Sequence, residues 1–163
     1  MKITLIVFGK LKTPGLREAC DVYNKKLSHY CEFQEVELKP TEVTEKSQAA
    51  SLKIKTDEAK RLEEKIAKVC SPRAKIVLLD ERGKSLPSEG WAKKIESYQD
   101  SSVPELVFCI GGSLGFLDEL RTKADWCVNL GPQTTSHELA RVILSEQLYR
   151  AMSILSGHPY HNI

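Results

Sequence analysis

"ELVFCIGG", Glu105–Gly112, runs apolar from Leu106 to Ile110 and then breaks at two glycines. An unbroken apolar run of this length, rather than an alternation, is the pattern of a strand buried on both faces. "KITLIVFGK" (2–10) and "AKIVLLD" (74–80) repeat the pattern, and "DWCVNLG" (125–131) is a fourth strand candidate. "CEFQEVEL" (31–38) instead alternates, as a half-exposed strand does.

Helical spacing fills the intervals. Leu16, Ala19, Cys20, Tyr23 and Leu27 form one stripe within 15–30. The lysine- and glutamate-rich stretch 44–70, with Leu52, Ala59, Leu62, Ile66 and Val69, is predicted to be one amphipathic helix or a pair. Further helices are expected around 88–98, near 117–123 and from about 136 to 155. Strands alternating with helices predict an α/β fold: a mostly parallel sheet with helices on both faces, residues 1–163 forming one domain.

The totals exclude several classes. No apolar run approaches the roughly 20 residues of a membrane span, and the N-terminus has no signal-peptide pattern, so a cytoplasmic protein is expected. Five cysteines without a CxxC pair argue against a disulfide framework and a zinc site, leaving buried free thiols. The net charge is +2, but residues 1–75 carry 16 basic against 11 acidic side chains, a mild bias toward a polyanionic partner.

Ligands of open parallel sheets bind beyond the carboxyl ends of the strands. The loops there are "DERGKSLPS", "GGSLGF" and "GPQTTSH". Gly111, Gly112 and Gly115 allow backbone to approach a flat ligand, although a tight turn would explain them equally well. The spacing is not GxGxxG and there is no P-loop lysine, so dinucleotide and NTPase readings fit badly. In the final helix, Leu139, Val142, Ile143, Leu148, Met152 and Leu155 share no narrow stripe, which predicts a face covered by a second copy in a homodimer. Glu138 with Arg141, and Glu146 with Arg150, have the spacing of ordinary surface ion pairs. "SGHPYHNI" (156–163) ends the chain with two histidines and a tyrosine, and Pro159 is expected to stop the helix before it.

"LIVFGK", "LLDERGK", "IGGSLGF", "HELARVILSEQLYRA" and "HPYH", in this order and over nearly the whole length, resemble the large-subunit ribosomal RNA methyltransferase H family of the SPOUT superfamily. The resemblance implies a deep trefoil knot at the carboxyl end, a rare exception to unthreaded chains. It implies S-adenosylmethionine as cofactor, held by Leu79, Gly111, Leu130, Gly131, Pro132, Gln133, Thr134 and Thr135. The implied substrate is a pseudouridine of the large-subunit (23S) RNA, methylated at N3 on the assembled ribosome, with no metal and no membrane involved. His137, Arg150, His158, Tyr160 and His161 are then the candidates for steering the base or its proton, no single one being assigned as the base. Ordinary roles compete for two of them: His137 starts a helix and Arg150 pairs with Glu146. A metal-dependent hydrolase using His158 and His161 fits poorly, since no acidic cluster flanks them. A non-catalytic ribosome-binding module on the same fold is the alternative, disfavoured by the intact loops. Two departures from the family pattern stand out: Ser136 where relatives commonly have proline, and Asn162 with Ile163 where a basic residue usually follows "YH". Lysines of the amino-terminal half, such as Lys10 and Lys12, are candidates to replace that lost charge.

Overall fold

In a computed structural model, residues 1–161 are described; the tail departures at Asn162 and Ile163 lie outside them. The elements follow as β1 (Lys2–Phe8), α1 (Leu16–Leu27), β2 (Glu32–Leu38), α2 (Gln48–Val69), β3 (Lys75–Lys84), α3 (Ser88–Asp100), β4 (Glu105–Ile110), α4 (Asp118–Lys123), β5 (Trp126–Val128) and α5 (His137–Leu155). The strands form one five-stranded sheet in the order β2-β1-β4-β3-β5, and every pairing is parallel.

Strand side chains alternate between the two faces. Ile3, Leu5, Val7, Leu106 and Phe108 pack with Leu27 of α1, Trp91 and Ile95 of α3, and Leu144, Leu148 and Met152 of α5. Ile6, Phe8, Leu78, Val107 and Cys109 meet Leu62 of α2 and Phe116 on the opposite face. Two covered faces explain the unbroken apolar runs of β1 and β4. The edge strand β2 has no fully buried residue, but the expected alternation is not kept: Phe33 packs on the first face and Val36 and Leu38 on the second, so this strand too is covered on both sides.

One open alternative is resolved and two boundaries differ from the sequence expectation. The stretch 44–70 yields one helix, α2, whose N-terminus Ser47 caps by accepting from the Ala50 N–H at 3.1 Å. β5 is only three residues long, because β3 runs on to Lys84 and pairs again with Val128 after a register shift. α5 is ended by Gly157, not by Pro159. At φ 68° Gly157 donates to the Ile154 carbonyl, and His158 donates to Ser153, the paired bonds of a Schellman motif.

Candidate active site

The second half of β3, where the sequence predicts a loop from residue 80 on, and the loops after β4 and β5 converge on a cavity of about 760 Å³, a size that suits a nucleoside-containing ligand. Leu79, Gly111, Leu130, Gly131, Gln133, Thr134 and Thr135 line it, together with Gly112, Gly115, Phe116 and His137. Pro132 departs from the expected set: it is exposed at the tip of the 129–135 turn and is not part of the wall. Gly111, Gly112, Gly115 and Gly131 in the wall leave peptide groups unobstructed by side chains there.

Two of these segments are stitched together. Gly83 passes so close to β5 that a Cβ would lie 2.6 Å from the backbone of Val128, which leaves room for glycine alone. Asn129 Nδ2 donates to the Gly83 carbonyl at 2.8 Å, its Oδ1 accepts from the Gly131 N–H at 3.3 Å, and the Thr134 hydroxyl donates to the Glu81 carboxylate at 3.0 Å. Gly131 holds φ 140°, a conformation that side-chain-bearing residues avoid.

The "LLDERGK" signal gains a second physical content. Asp80 is buried, accepts from Arg121 Nε at 2.7 Å and from the Arg82 N–H at 3.0 Å, while Asp118 takes Arg82 and Arg121 at 2.8 and 2.6 Å. The Arg82 hydrogen bond is the main cause holding the Asp118 carboxyl below its ordinary range. This network forms the polar rim of the cavity, and the sequence motifs point to neither Arg121 nor Asp118. Both lie in the short α4, whose separation of roughly 40 residues from Asp80 gives no local signal.

His137 opens α5 at the cavity edge, where the Ser136 hydroxyl caps the helix by accepting from the Leu139 N–H at 3.3 Å. Its imidazole lies against Gly9 at the end of β1, where a Cβ would come within 2.6 Å of Nε2. Glu138 does not pair with Arg141 as its spacing suggests. Its carboxylate accepts from the Lys12 and Thr13 N–H groups at 3.1 and 2.9 Å, and the Thr13 bond chiefly lowers its pKa. Arg141 is fully buried and reaches Glu35 and Glu37 of β2 at 2.5 and 2.6 Å. The helix turns that side chain toward β2, so an apparent surface pair becomes an interior pin between helix and sheet.

Arg150, His158, Tyr160 and His161 do not line the cavity. At 1.5 Å rise per residue, the 13 residues from His137 to Arg150 span about 20 Å. There Arg150 binds Glu146, as its spacing indicates, and its guanidinium lies 4.7 Å from the Tyr160 ring centroid. The Tyr160 hydroxyl donates to Glu146 at 3.0 Å, and the ring packs 4.5 Å from that of Tyr149. His161 Nε2 lies 3.0 Å from Glu89 of α3, and its Nδ1 faces Arg150 at 3.4 Å. Burial, aided by bonds to Tyr23 and Glu146, pushes the Tyr160 hydroxyl well above its ordinary pKa. The tail is therefore folded against the carboxyl end of α5. On the outward stripe of α5 between the two ends, Leu139 is 43% exposed and Val142 and Ile143 are half-buried, whereas Leu148 and Met152 are covered within the chain.

Burial raises the pKa of the cysteine thiols, to about 11 for Cys31 and Cys70, as unreactive packed thiols require. Among the described residues no helix is long and apolar enough to cross a membrane, and no cluster of three or more His, Cys, Asp or Glu is placed to hold a metal.

Comparison with known proteins gives concordant results. The family described as "Predicted SPOUT methyltransferase" matches residues 1–161. The ribosomal RNA large subunit methyltransferase H of Geobacter metallireducens is 40% identical over 162 residues, 99% of either chain. The proteins of the same name from Acetivibrio thermocellus and Trichlorobacter lovleyi are 38% and 39% identical, again covering 99% of this chain and at least 99% of theirs. A probable methylase family protein from Haemophilus influenzae Rd KW20, with a TM-score of 0.52 over 99% of this chain and 70% of that one, shares the fold at 15% identity.

Proposed function

The chain belongs to the SPOUT methyltransferases, in the ribosomal RNA large subunit methyltransferase H family, and on that basis we propose how it works. It methylates N3 of a pseudouridine in large-subunit ribosomal RNA on the assembled ribosome, with S-adenosylmethionine as donor. It acts as a single-domain cytoplasmic enzyme and a homodimer. The observation that carries the reading is that seven of the eight positions assigned to the cofactor, all but Pro132, line one cavity together with His137.

Leu79, Gly111, Leu130, Gly131, Gln133, Thr134 and Thr135 would hold the cofactor, with Pro132 shaping the turn between them. The bare backbone of the glycine loop and the volume of the cavity fit such a molecule. When bound, the sulfonium supplies an already activated methyl group. The protein's part is alignment, exclusion of water and removal of the N3 proton, and positioning can supply roughly 7 kcal/mol or more. This reading includes a deep trefoil knot at the carboxyl end of the chain, whose loops hold the cofactor.

Tyr160, held protonated with its hydroxyl on Glu146, serves to hydrogen-bond and stack and not to accept a proton. His161 has both ring nitrogens engaged, toward Glu89 and Arg150. His137 is the candidate histidine at the cavity itself. The tail cluster is about 20 Å along α5 from His137, so in this reading it serves the cavity of a partner subunit across the outward stripe Leu139–Val142–Ile143. Lys10 and Lys12 belong to the loop whose backbone Glu138 fastens next to His137, and in this reading they meet RNA phosphates in place of the usual tail cation.

The test is methyl transfer from S-adenosylmethionine to intact ribosomes lacking the modification, compared with naked RNA, alongside calorimetry of cofactor binding. Transfer to ribosomes is the expected result. Cofactor binding without transfer to either authenticated substrate sinks the proposed target, and ribosome association without cofactor binding would establish the non-catalytic alternative.

A further inference from the structure

The glycine loop after β4 rests on a helix to which the proposed reaction gives no role. Glu58, in the middle of α2, is only 5% exposed although it carries a carboxylate. One oxygen accepts from the Thr41 N–H at 2.9 Å, which ties down the segment between β2 and α2. The same carboxylate abuts Gly112, where a Cβ would lie 2.5 Å from Oε2 and 2.8 Å from Oε1. Around it are Phe8, Leu62, Phe116 and Leu120, so the carboxylate meets the loop in largely apolar surroundings. Lys55, one turn earlier on α2, reaches the wall of the main cavity.

We infer that Glu58 is a positioning residue that braces the 111–115 glycine loop from beneath and sets the wall of the cofactor cavity. A carboxylate buried this deeply is costly, and a leucine or methionine at this place on α2 would pack at lower cost. What an apolar residue cannot do is accept from the Thr41 N–H while its far end lies directly against Gly112 of the loop. The turn above the brace is closed by Gly115 donating to the Gly112 carbonyl at 3.0 Å, with Gly115 at φ 70°. A shift of Gly112 is therefore carried through to Gly111 and Gly115, both in the cavity wall. A side chain at 112 would displace the Glu58 carboxylate from this position, so the glycine and the brace belong together. Burial raises the Glu58 pKa, and hydrogen bonding from Thr41 together with Arg61 on the same helix opposes that rise, as a carboxylate held in place against its own desolvation would show.

This inference rests on the cofactor reading above, and the test separates the two. Amide hydrogen exchange is measured on the ligand-free protein, and S-adenosylmethionine binding by calorimetry, for wild type, E58Q, E58A, G112A and the E58A/G112A double variant. E58Q is expected to speed exchange across 111–115 at least fivefold and to weaken cofactor binding at least fivefold. G112A is expected to weaken binding strongly in the wild type and at least fivefold less in the E58A background, where the colliding carboxylate is gone. Unchanged exchange across 111–115 in E58Q, or strictly additive effects of E58A and G112A on binding, would overturn the brace. Faster exchange in E58Q with no cofactor binding by the wild type would support the brace and sink the cofactor reading instead.

Discussion

The two ends of α5 solve different problems. At its amino end the chain builds a cavity lined by glycine-bearing segments, stitched by Asn129, Thr134 and Gly83, with His137 at the edge. At its carboxyl end it gathers Tyr149, Tyr160, Arg150, Glu146 and His161 into a cluster of side chains. The first is shaped to receive a ligand within one chain, and the second packs aromatic and charged groups against one another at the helix end. In the proposed reaction, one helix thus carries two halves of a site that a single copy does not bring together.

Removing one end is the strongest test of this contrast. A chain truncated after Gly157 is expected to lose methyl transfer by a thousandfold or more while calorimetry finds cofactor affinity within about twofold of wild type, on the order of 4 kcal/mol of positioning. Undiminished transfer would detach the tail from the reaction. Mixing this truncated chain with H137A subunits tests whether the halves meet in trans. If they do, random heterodimers recover up to about a quarter of wild-type turnover, since half of the dimers then hold one complete site. Recovery of none would place both halves within one chain.

Gly131→Val probes the other end. Forcing a branched residue into φ 140° costs about 1 to 3 kcal/mol locally, so cofactor affinity is expected to fall roughly five- to 150-fold with the tail cluster unaffected. Calorimetry together with tyrosine fluorescence distinguishes the two regions.

A smaller effect follows from pH. The Glu58 pKa is raised above its ordinary value of 4.5 on folding, so its contribution to stability is fully present below that value and is lost as pH rises through the raised pKa. The Gln variant does not titrate. Thermal unfolding of E58Q against wild type, with Asp57 and Arg61 as the charged neighbours on α2, is therefore expected to favour wild type progressively as pH falls toward 4.5. A difference independent of pH would remove titration of Glu58 as its source.

Much of the fold and of the cavity is legible in the chain's own pattern. The apolar runs of β1, β3 and β4 predict a sheet covered on both faces, and the position of ligands in parallel sheets singles out the loops beyond those strands. The family resemblance then selects residues within the loops, and nearly all of the cofactor set falls on one cavity. Expectation and structure part where partners are remote. Arg141 has a neighbour of suitable charge three residues away, yet its carboxylates are Glu35 and Glu37 of β2. Pro159 is the obvious helix stop, but the left-handed Gly157 ends α5 before it.

For "SGHPYHNI" the residue types come from the sequence and the role from the resemblance. That Tyr160 and His161 fold back onto Glu146, Arg150 and Glu89, away from the cavity of their own chain, is visible only in three dimensions. The alternating elements, the parallel sheet and the glycine-bearing loops are written in the sequence, because periodicity and backbone freedom are local properties of neighbouring residues. Tertiary packing selects which carboxylate meets which cation, that a side chain at 112 would meet the Glu58 carboxylate, and how far His137 stands from Arg150. Those outcomes depend on contacts between segments distant in the chain, which no local spacing encodes.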